Sequence, residues 1–329
     1  MRIIVSRIIA RQPDYAAALL IAIMGCRDIT APESESVPLL ITASDSMPAA
    51  PFLAMAGDIA GCGVNYKDEV TALLVDSLLR TNPMAGAVAV GDVAYMHGSA
   101  KDFLCYDASW GRFKARTWAV PGNHEYNQDT SATGYYDYFL GKGVNAGPMG
   151  TRGRGYYAFD CAPGWRCYGM NGQRRIPEQT KWLAADLALH PTGCQLLWTH
   201  EPIYTSGAMP SWPKIRPWMV EGMKRALDVV VTGHQHVALE RTARIRPNLT
   251  LNAPLDAAVI DTAKGARHFI AGGGGDLDGT EWLPTPKAYS EKRLGGLGIL
   301  KLTLLPGRYM WEFLDVTGQV LDSGDEACR

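Results

Sequence analysis

The sequence predicts an α/β fold in which two packed, mixed β-sheets are flanked by helices. Three observations lead there. Five short apolar runs are β-rich and unalternating, so they read as strands buried on both faces. They are Phe52-Leu53-Ala54-Met55-Ala56, Ala87-Val88-Ala89-Val90, Trp118-Ala119-Val120, Leu196-Leu197-Trp198 and Val229-Val230-Val231. Two stretches, Val70 to Leu79 and Pro177 to Leu189, have helical spacing, and Pro177 sits where a first helical turn accepts proline. Near the carboxyl end, Leu297 to Leu304 and Tyr309 to Leu314 alternate around Pro306-Gly307, a hairpin signal. Together these suit a sheet-on-sheet sandwich with helices outside.

Each of the five runs leads into a turn that carries metal-binding side chains. The segments are Gly57-Asp58-Ile59-Ala60, Gly91-Asp92-Val93-Ala94-Tyr95, Gly122-Asn123-His124-Glu125, Thr199-His200-Glu201-Pro202 and Gly233-His234-Gln235-His236. They lie just past the carboxyl ends of strands, where layered α/β folds place their sites. Singly, each is ordinary. Gly-Asp and Gly-Asn after a strand are turn sequences, and a lone histidine is more often a satisfied surface or core residue than a ligand. The fivefold recurrence of strand, turn and donor makes Asp58, Asp92, Tyr95, Asn123, His200, His234 and His236 the candidate ligand set.

These segments resemble the metallophosphoesterase (calcineurin-like) superfamily, and within it the purple acid phosphatase branch of short bacterial type. Tyr95 discriminates. Most of the superfamily carries Asp-x-His in the first segment, whereas position 60 here is Ala60, and Tyr95 takes a ligand place three residues past Asp92. Trp110-Gly111-Arg112-Phe113-Lys114, Tyr135-Tyr136-Asp137-Tyr138-Phe139, Gln179-Thr180-Lys181-Trp182-Leu183 and Gly272-Gly273-Gly274-Gly275-Asp276 also look like that group. The resemblance covers about residues 48 to 320. One departure is Gly61, three residues after Asp58 where the family often has glycine two after.

The resemblance implies a four-layer metallophosphatase architecture with two metal ions. Site one would use Asp58, Tyr95, His236 and a bridging Asp92, and site two Asn123, His200, His234 and the same Asp92. Donor chemistry agrees. A phenol with a pKa of about 10 ligates well only beside a strong Lewis acid. Two carboxylates and a phenolate suit Fe(III), and two imidazoles with a neutral amide suit Zn, Mn or Fe(II). The implied activity is phosphoric ester hydrolysis, of the acid-phosphatase-like monoesterase kind, by a metal-bound hydroxide. Asp92 and His124 are the candidate catalytic residues. His124 would hydrogen-bond the phosphate, protonate the leaving group, or merely orient a ligand. The segment Tyr204 to Met209 lacks the histidines that larger members carry there, so His97 is either a substitute acid or a surface histidine. Two other readings stand beside this one: a phosphodiesterase or nucleotide hydrolase on the same centre, and a non-catalytic metal-binding surface lipoprotein.

Composition bounds the partners. A net charge of -1 over 329 residues gives no reason to expect nucleic acid. The expected partner is a small-molecule phosphate ester. The hydrophobic share of 47% is ample for a core. At the amino end, Arg2, Arg7 and Arg11 precede an apolar run, Ala16 to Met24, too short to span as a mature helix. Ile23-Met24-Gly25-Cys26 resembles a bacterial lipobox, with a plain cleaved signal as the alternative. The expected organisation is a signal over 1–26, a flexible tether over 27–47, one domain over 48–320 and a tail over 321–329. Export to the periplasm or cell surface, with membrane attachment through a lipid on Cys26, follows from that reading. Six further cysteines suit disulfides, and Cys161 and Cys167, flanking a turn, are the expected pair. Gly272 to Gly275 lacks the residues of a nucleotide loop and is expected to let backbone pass close to the centre. Trp212, Trp218 and Tyr204 are expected in the core rather than on a substrate wall.

Overall fold

The computed structural model of the protein describes residues 49–329 other than 226, 277 and 280. All five apolar runs are strands: Phe52–Ala56, Gly86–Val90, Thr117–Val120, Cys194–Trp198 and Val229–Thr232, buried along nearly their whole length. They divide between two sheets. The first has six strands in the order Val320–Ala327, Arg308–Asp315, Gly298–Leu305, Phe52–Ala56, Gly86–Val90, Thr117–Val120. Phe52–Ala56, Gly86–Val90 and Thr117–Val120 run parallel, and Gly298–Leu305 pairs antiparallel with Phe52–Ala56. The second sheet has eight strands. Its centre is parallel, in the order Ala266–Ile270, Val229–Thr232, Cys194–Trp198, Trp165–Gly169, and antiparallel strands close both sides. The hairpin turns at Pro306–Gly307, where φ of +72° at Gly307 is left-handed and favours glycine.

Apolar faces decide how these layers stack, because each element must bury its one hydrophobic side against another. Between the sheets, Trp118 stacks on Phe159 with ring centroids 3.8 Å apart, and Phe269 meets Trp311 at 5.8 Å. Val88 and Leu300 of the first sheet share one core with Leu196 and Val231 of the second. Among the described residues five α-helices complete the frame: α1 (Asp68–Arg80), α2 (Ala100–Ala108), α3 (Thr133–Phe139), α4 (Ile176–Leu189) and α5 (Arg216–Lys224). Helix α1 buries Ala72, Val75 and Leu79 in the first sheet's cluster. Helices α4 and α5 bury Leu183, Leu187, Trp218 and Met219 in a second cluster with Leu197 and Val230. The result is the four-layer sandwich expected. Both periodic stretches are helices, extended by one or two residues at their ends.

Trp218 and Tyr204 are core residues, as expected, while Trp212 is half-buried and donates its Nε1–H to Gly172 O at 3.0 Å. One expectation needs correcting. Residues 321–329 are no tail, because Val320–Ala327 forms an edge strand of the first sheet and Cys328 bonds to Cys194 in the second. Their alternating polar side chains hid a strand with one solvated face. The expected pair Cys161–Cys167 is a disulfide, joined by Cys62–Cys105 and Cys194–Cys328, with Cα separations of 5.3 to 5.8 Å. Cys105 sits on α2, whose start is fixed by a capping box between Ser99 and Asp102. That disulfide therefore ties the loop after Asp58 to a helix. The signal, the lipobox and the tether lie outside the described residues. Among the described residues no helix is long and apolar enough to cross a membrane.

Candidate metal centre

The five turns meet at one end of the parallel strands. Their geometry is unusual for the backbone. Asp58, Asp92, His234 and His236 all have left-handed φ, at 60°, 45°, 71° and 47°. Residues other than glycine hold such values at a cost, and persist there when the surroundings over-determine them. Here the surroundings are neighbouring turns threaded through glycine. A Cβ at Gly233 would come within 2.7 Å of Asp58 Oδ2, and one at Gly272 within 2.8 Å of the same oxygen. The glycine run thus brings backbone against the centre, as expected. The turns also bond to one another. The His234 amide donates to Asp58 Oδ2 at 2.6 Å, and the His124 amide to Asp92 Oδ1 at 2.8 Å.

Three donors converge on the Tyr95 phenol. Its oxygen donates to Asp58 Oδ1 at 3.0 Å, lies 3.4 Å from Asp92 Oδ2 and 3.0 Å from His236 Nε2. On the other side of Asp92, Oδ2 faces His200 Nε2 at 3.0 Å. Ligand atoms of Asp92, His200 and His234 all lie within 4.8 Å of one another. Asn123 follows Gly122, where a Cβ would collide with Asp92 and His200. The structure therefore brings Asp58, Asp92, Tyr95, His200, His234 and His236 together, with Asp92 between the two groups, and sets the turn that carries Asn123 against them. Backbone carbonyls orient the imidazoles from behind: His200 Nδ1 bonds to Val90 O at 3.0 Å, and His236 Nδ1 to Asp278 O. That leaves Nε2 of each ring facing the cluster, the arrangement that fixes a ligating tautomer.

Charge in this pocket is lopsided. Every ion pair that Asp58, Asp92 and Asp276 form among the described residues is with histidine, and none is with lysine or arginine. Burial opposes the charge on Asp92, but His200, His124 and His234 outweigh it and hold the carboxyl below its usual range. Burial, and then the charges of Asp58 and Asp92, push the Tyr95 phenol well above its ordinary value. Burial and the neighbouring His200 bring His234 down to about 4, so its ring is neutral and free to ligate. One buried ligand-type atom, Asn123 Oδ1, has no hydrogen-bond partner. Buried polar atoms are rarely left so. An unsatisfied amide oxygen on a turn packed against Asp92 and His200 fits a metal ion.

His124 borders this cluster. Its ring lies over Tyr95 with centroids 4.5 Å apart, its Nδ1 bonds to Met96 O at 2.8 Å, and Nε2 stands 3.9 Å from Asp92 Oδ2. The side chain is 20% exposed, so Nε2 is reachable from outside. His97 is half-buried, and its Nδ1 has no partner.

Three acids in the site escaped sequence reasoning. Glu125 is buried and accepts from the amides of Val93, Ala94 and Gly122 at 2.9, 3.1 and 2.7 Å, pinning the Asp92 and Asn123 turns to each other. Burial and then the charge of Asp92 push it up to about 7. Glu201, next to His200, accepts from Gln173 Nε2. Asp276 stands 3.7 Å from His236 Nδ1. All three lay inside or at the end of segments already singled out, but their partners are on other turns.

The family model of the calcineurin-like phosphoesterases matches residues 52–238, more than half of the chain and all seven donors. No curated protein matches the chain significantly. Among solved structures, a purple acid phosphatase from yellow lupin (Lupinus luteus) seeds superposes with a TM-score of 0.64 at 20% identity, over 85% of this chain and 54% of that one. GAP50, the anchor in the inner membrane complex of Plasmodium, gives 0.58 at 12% identity, over 85% and 89%. PhoD gives 0.56 at 11%, over 84% and 68%. At these identities the likeness is one of fold, and this chain spans about half the length of the lupin protein. With the family model covering the whole donor set, the chain belongs to the calcineurin-like phosphoesterases of the metallophosphoesterase superfamily.

Proposed function

We propose that this protein is a metal-dependent phosphoric ester hydrolase of the acid-phosphatase-like monoesterase kind. The observation that carries the reading is the buried Asn123 Oδ1, without a hydrogen-bond partner, on a turn packed against Asp92, whose ion pairs among the described residues are all with histidine. Two ions complete such a set. Asp58, Tyr95, His236 and Asp92 would hold one, and their three anionic oxygens favour Fe(III). Asn123, His200, His234 and Asp92 would hold the other, favouring Zn, Mn or Fe(II). When bound, the pair would supply Lewis acidity at the phosphoryl group and an activated water.

The chain's own residues supply the rest. Asp92 stands between the two donor groups and sets their spacing. Glu125 fixes the turns that carry Asp92 and Asn123, so the donors keep their places as substrate enters. His124 keeps Nδ1 on the Met96 carbonyl, which leaves Nε2 for a phosphoryl or leaving-group oxygen. The domain would run from about residue 48 to the last strand. Three disulfides support an oxidising compartment, and hence export to the periplasm or cell surface, with a lipid on Cys26 as one means of attachment.

The test is turnover of an aryl phosphate monoester and its diester by purified protein, with metal content and visible spectrum measured alongside. Monoester hydrolysis with two metals per chain, one of them iron and coloured, supports the full reading. Preferential diester hydrolysis would move the protein to the phosphodiesterases. A non-catalytic role takes its support from GAP50, described as an anchor. Bound metal with no turnover of either ester would establish that role instead.

A further inference from the structure

The proposed centre lies beside a rim of arginines, and their pairing is incomplete. The loop after the Trp165–Gly169 strand, Asn171-Gly172-Gln173-Arg174-Arg175, contacts residues one and three positions past two proposed ligands, His200 and Asn123. Gln173 donates to Glu201, the neighbour of His200, and Arg174 lies over the ring of Tyr126, two residues past His124, with the guanidinium 4.3 Å from the centroid. Asn171 Nδ2 ties the loop to the Tyr126 hydroxyl at 2.9 Å and to Arg154 O at 2.8 Å. The neighbouring arginines have carboxylate partners. Arg152 pairs with Asp137 at 2.9 Å, while Arg154 and Arg175 share Glu178 at 3.6 and 3.0 Å. Among the described residues Arg174 bonds to carbonyl oxygens, of Gln173 at 3.0 Å and Thr130 at 3.5 Å, and forms no ion pair with a carboxylate. It is half-buried, stacked and held by its loop.

A guanidinium with five donors in a planar fork matches a carboxylate or phosphate, and one already ordered by stacking loses little freedom on binding. We infer that Arg174 is a specificity-determining residue that binds a second anionic group on the substrate, so that the preferred esters carry a phosphate or carboxylate on the alcohol side. This deepens the phosphoesterase reading and rests on it. Arg174 acts on the substrate's remote end, away from the bond that breaks.

The experiment compares two non-hydrolysable probes, phenylphosphonate and para-carboxyphenylphosphonate, binding to the purified full chain with its metals, by calorimetry. The wild type should bind the carboxylated probe at least about tenfold more tightly, the worth of one charge-assisted hydrogen bond. Arg174→Gln should remove that preference and leave phenylphosphonate affinity within about twofold, and Arg174→Lys should keep part of it. Arg174→Met, which retains the stem over Tyr126, provides the same comparison should the Gln variant fold poorly. Equal affinity of the wild type for both probes would overturn the inference. So would an equal weakening of both probes in the variants, which would make Arg174 a holder of the transferred group or a plain cap on Tyr126. Turnover of phenyl phosphate is read separately. A preference that depends on Arg174 in a protein that hydrolyses nothing would sink the enzyme reading and leave the anion subsite standing.

Discussion

Two regions of this molecule gather buried charge where the sheets meet, and they handle it in opposite ways. At the carboxyl ends of the parallel strands, the ion pairs of Asp58, Asp92 and Asp276 among the described residues are all with histidine. Elsewhere the sheets are clasped by arginine. Arg244 and Arg267 of the second sheet reach Glu326 of the first, Arg241 reaches Asp322 at 2.8 Å, and Arg267 also pairs with Glu291 at 2.6 Å. Trp311 lies between Arg241 and Arg267, with guanidinium carbons 5.3 and 5.4 Å from its ring. The clasp sets its acids against arginine, although Arg244 Nη1 and Arg267 Nε themselves keep no hydrogen bond. The candidate metal centre instead sets its carboxylates against histidines, on turns with left-handed φ, as suits binding cations rather than stabilising the fold. The difference teaches that buried charge alone does not identify a site. The identity of the counter-charge does.

The largest expected effect separates the two regions outright. Asp92→Asn should lower hydrolysis at least about a thousandfold and strip metal, because it removes the oxygen between both donor groups. The metal-free variant should unfold at no lower temperature than the metal-free wild type, since it relieves a buried anion. Full activity with full metal content would remove Asp92 from the centre. The next effect falls on the clasp. Arg267→Ala leaves Glu326 and Glu291 without one partner and should cost about 3 to 5 kcal/mol of stability in urea unfolding. Turnover per folded molecule should stay the same, and a loss of metal in that variant would merge the two regions into one.

Tyr95→Phe sharpens the picture inside the site. It removes one of four donors around the first metal position, so activity should fall by about tenfold while any visible absorption from an iron–phenolate bond disappears. A coloured Phe variant would show that Tyr95 is not a ligand. The smallest effect is on pH. Burial opposes the charge on Glu326, but Arg267, Tyr309 and Arg244 outweigh it and hold its carboxyl below the usual range. A depressed carboxyl contributes stability above its unfolded pKa of about 4.3 and loses it as pH falls through the lower folded value. The urea midpoint of the wild type should therefore drop on acidification through that window. Glu326→Gln should lack this part of the slope, and an identical slope would show that the pair contributes nothing by ionisation.

Much of the site was legible because its code is local. An apolar run followed by glycine and a donor describes a strand end and its turn within a few residues, and five such runs located Asp58, Asp92, Asn123, His200 and the His234–His236 pair. Tyr95 was legible for the same reason, three residues from Asp92. Glu125 was not, because its partners are backbone amides on two other turns. Arg174 was not, because an arginine in a loop is ordinary until the pairing of its neighbours is known. The segment 321–329 was misread as a tail, since Val320–Ala327 carries few apolar residues and owes its place to Arg308–Asp315 beside it and to the ion pairs of Glu326 and Asp322.

The sequence by itself determined the five strands that lead into the donors, the order of the donors and the chemistry they imply, because hydrophobic periodicity and turn residues act over a handful of positions. Only the tertiary structure decided how Cys62, Cys105, Cys194 and Cys328 pair, which carboxylates meet arginine and which are left to histidine. Those outcomes depend on residues as far apart as Cys194 and Cys328, brought together by the stacking of two sheets. No local pattern in a chain encodes the charge that another strand will place opposite it.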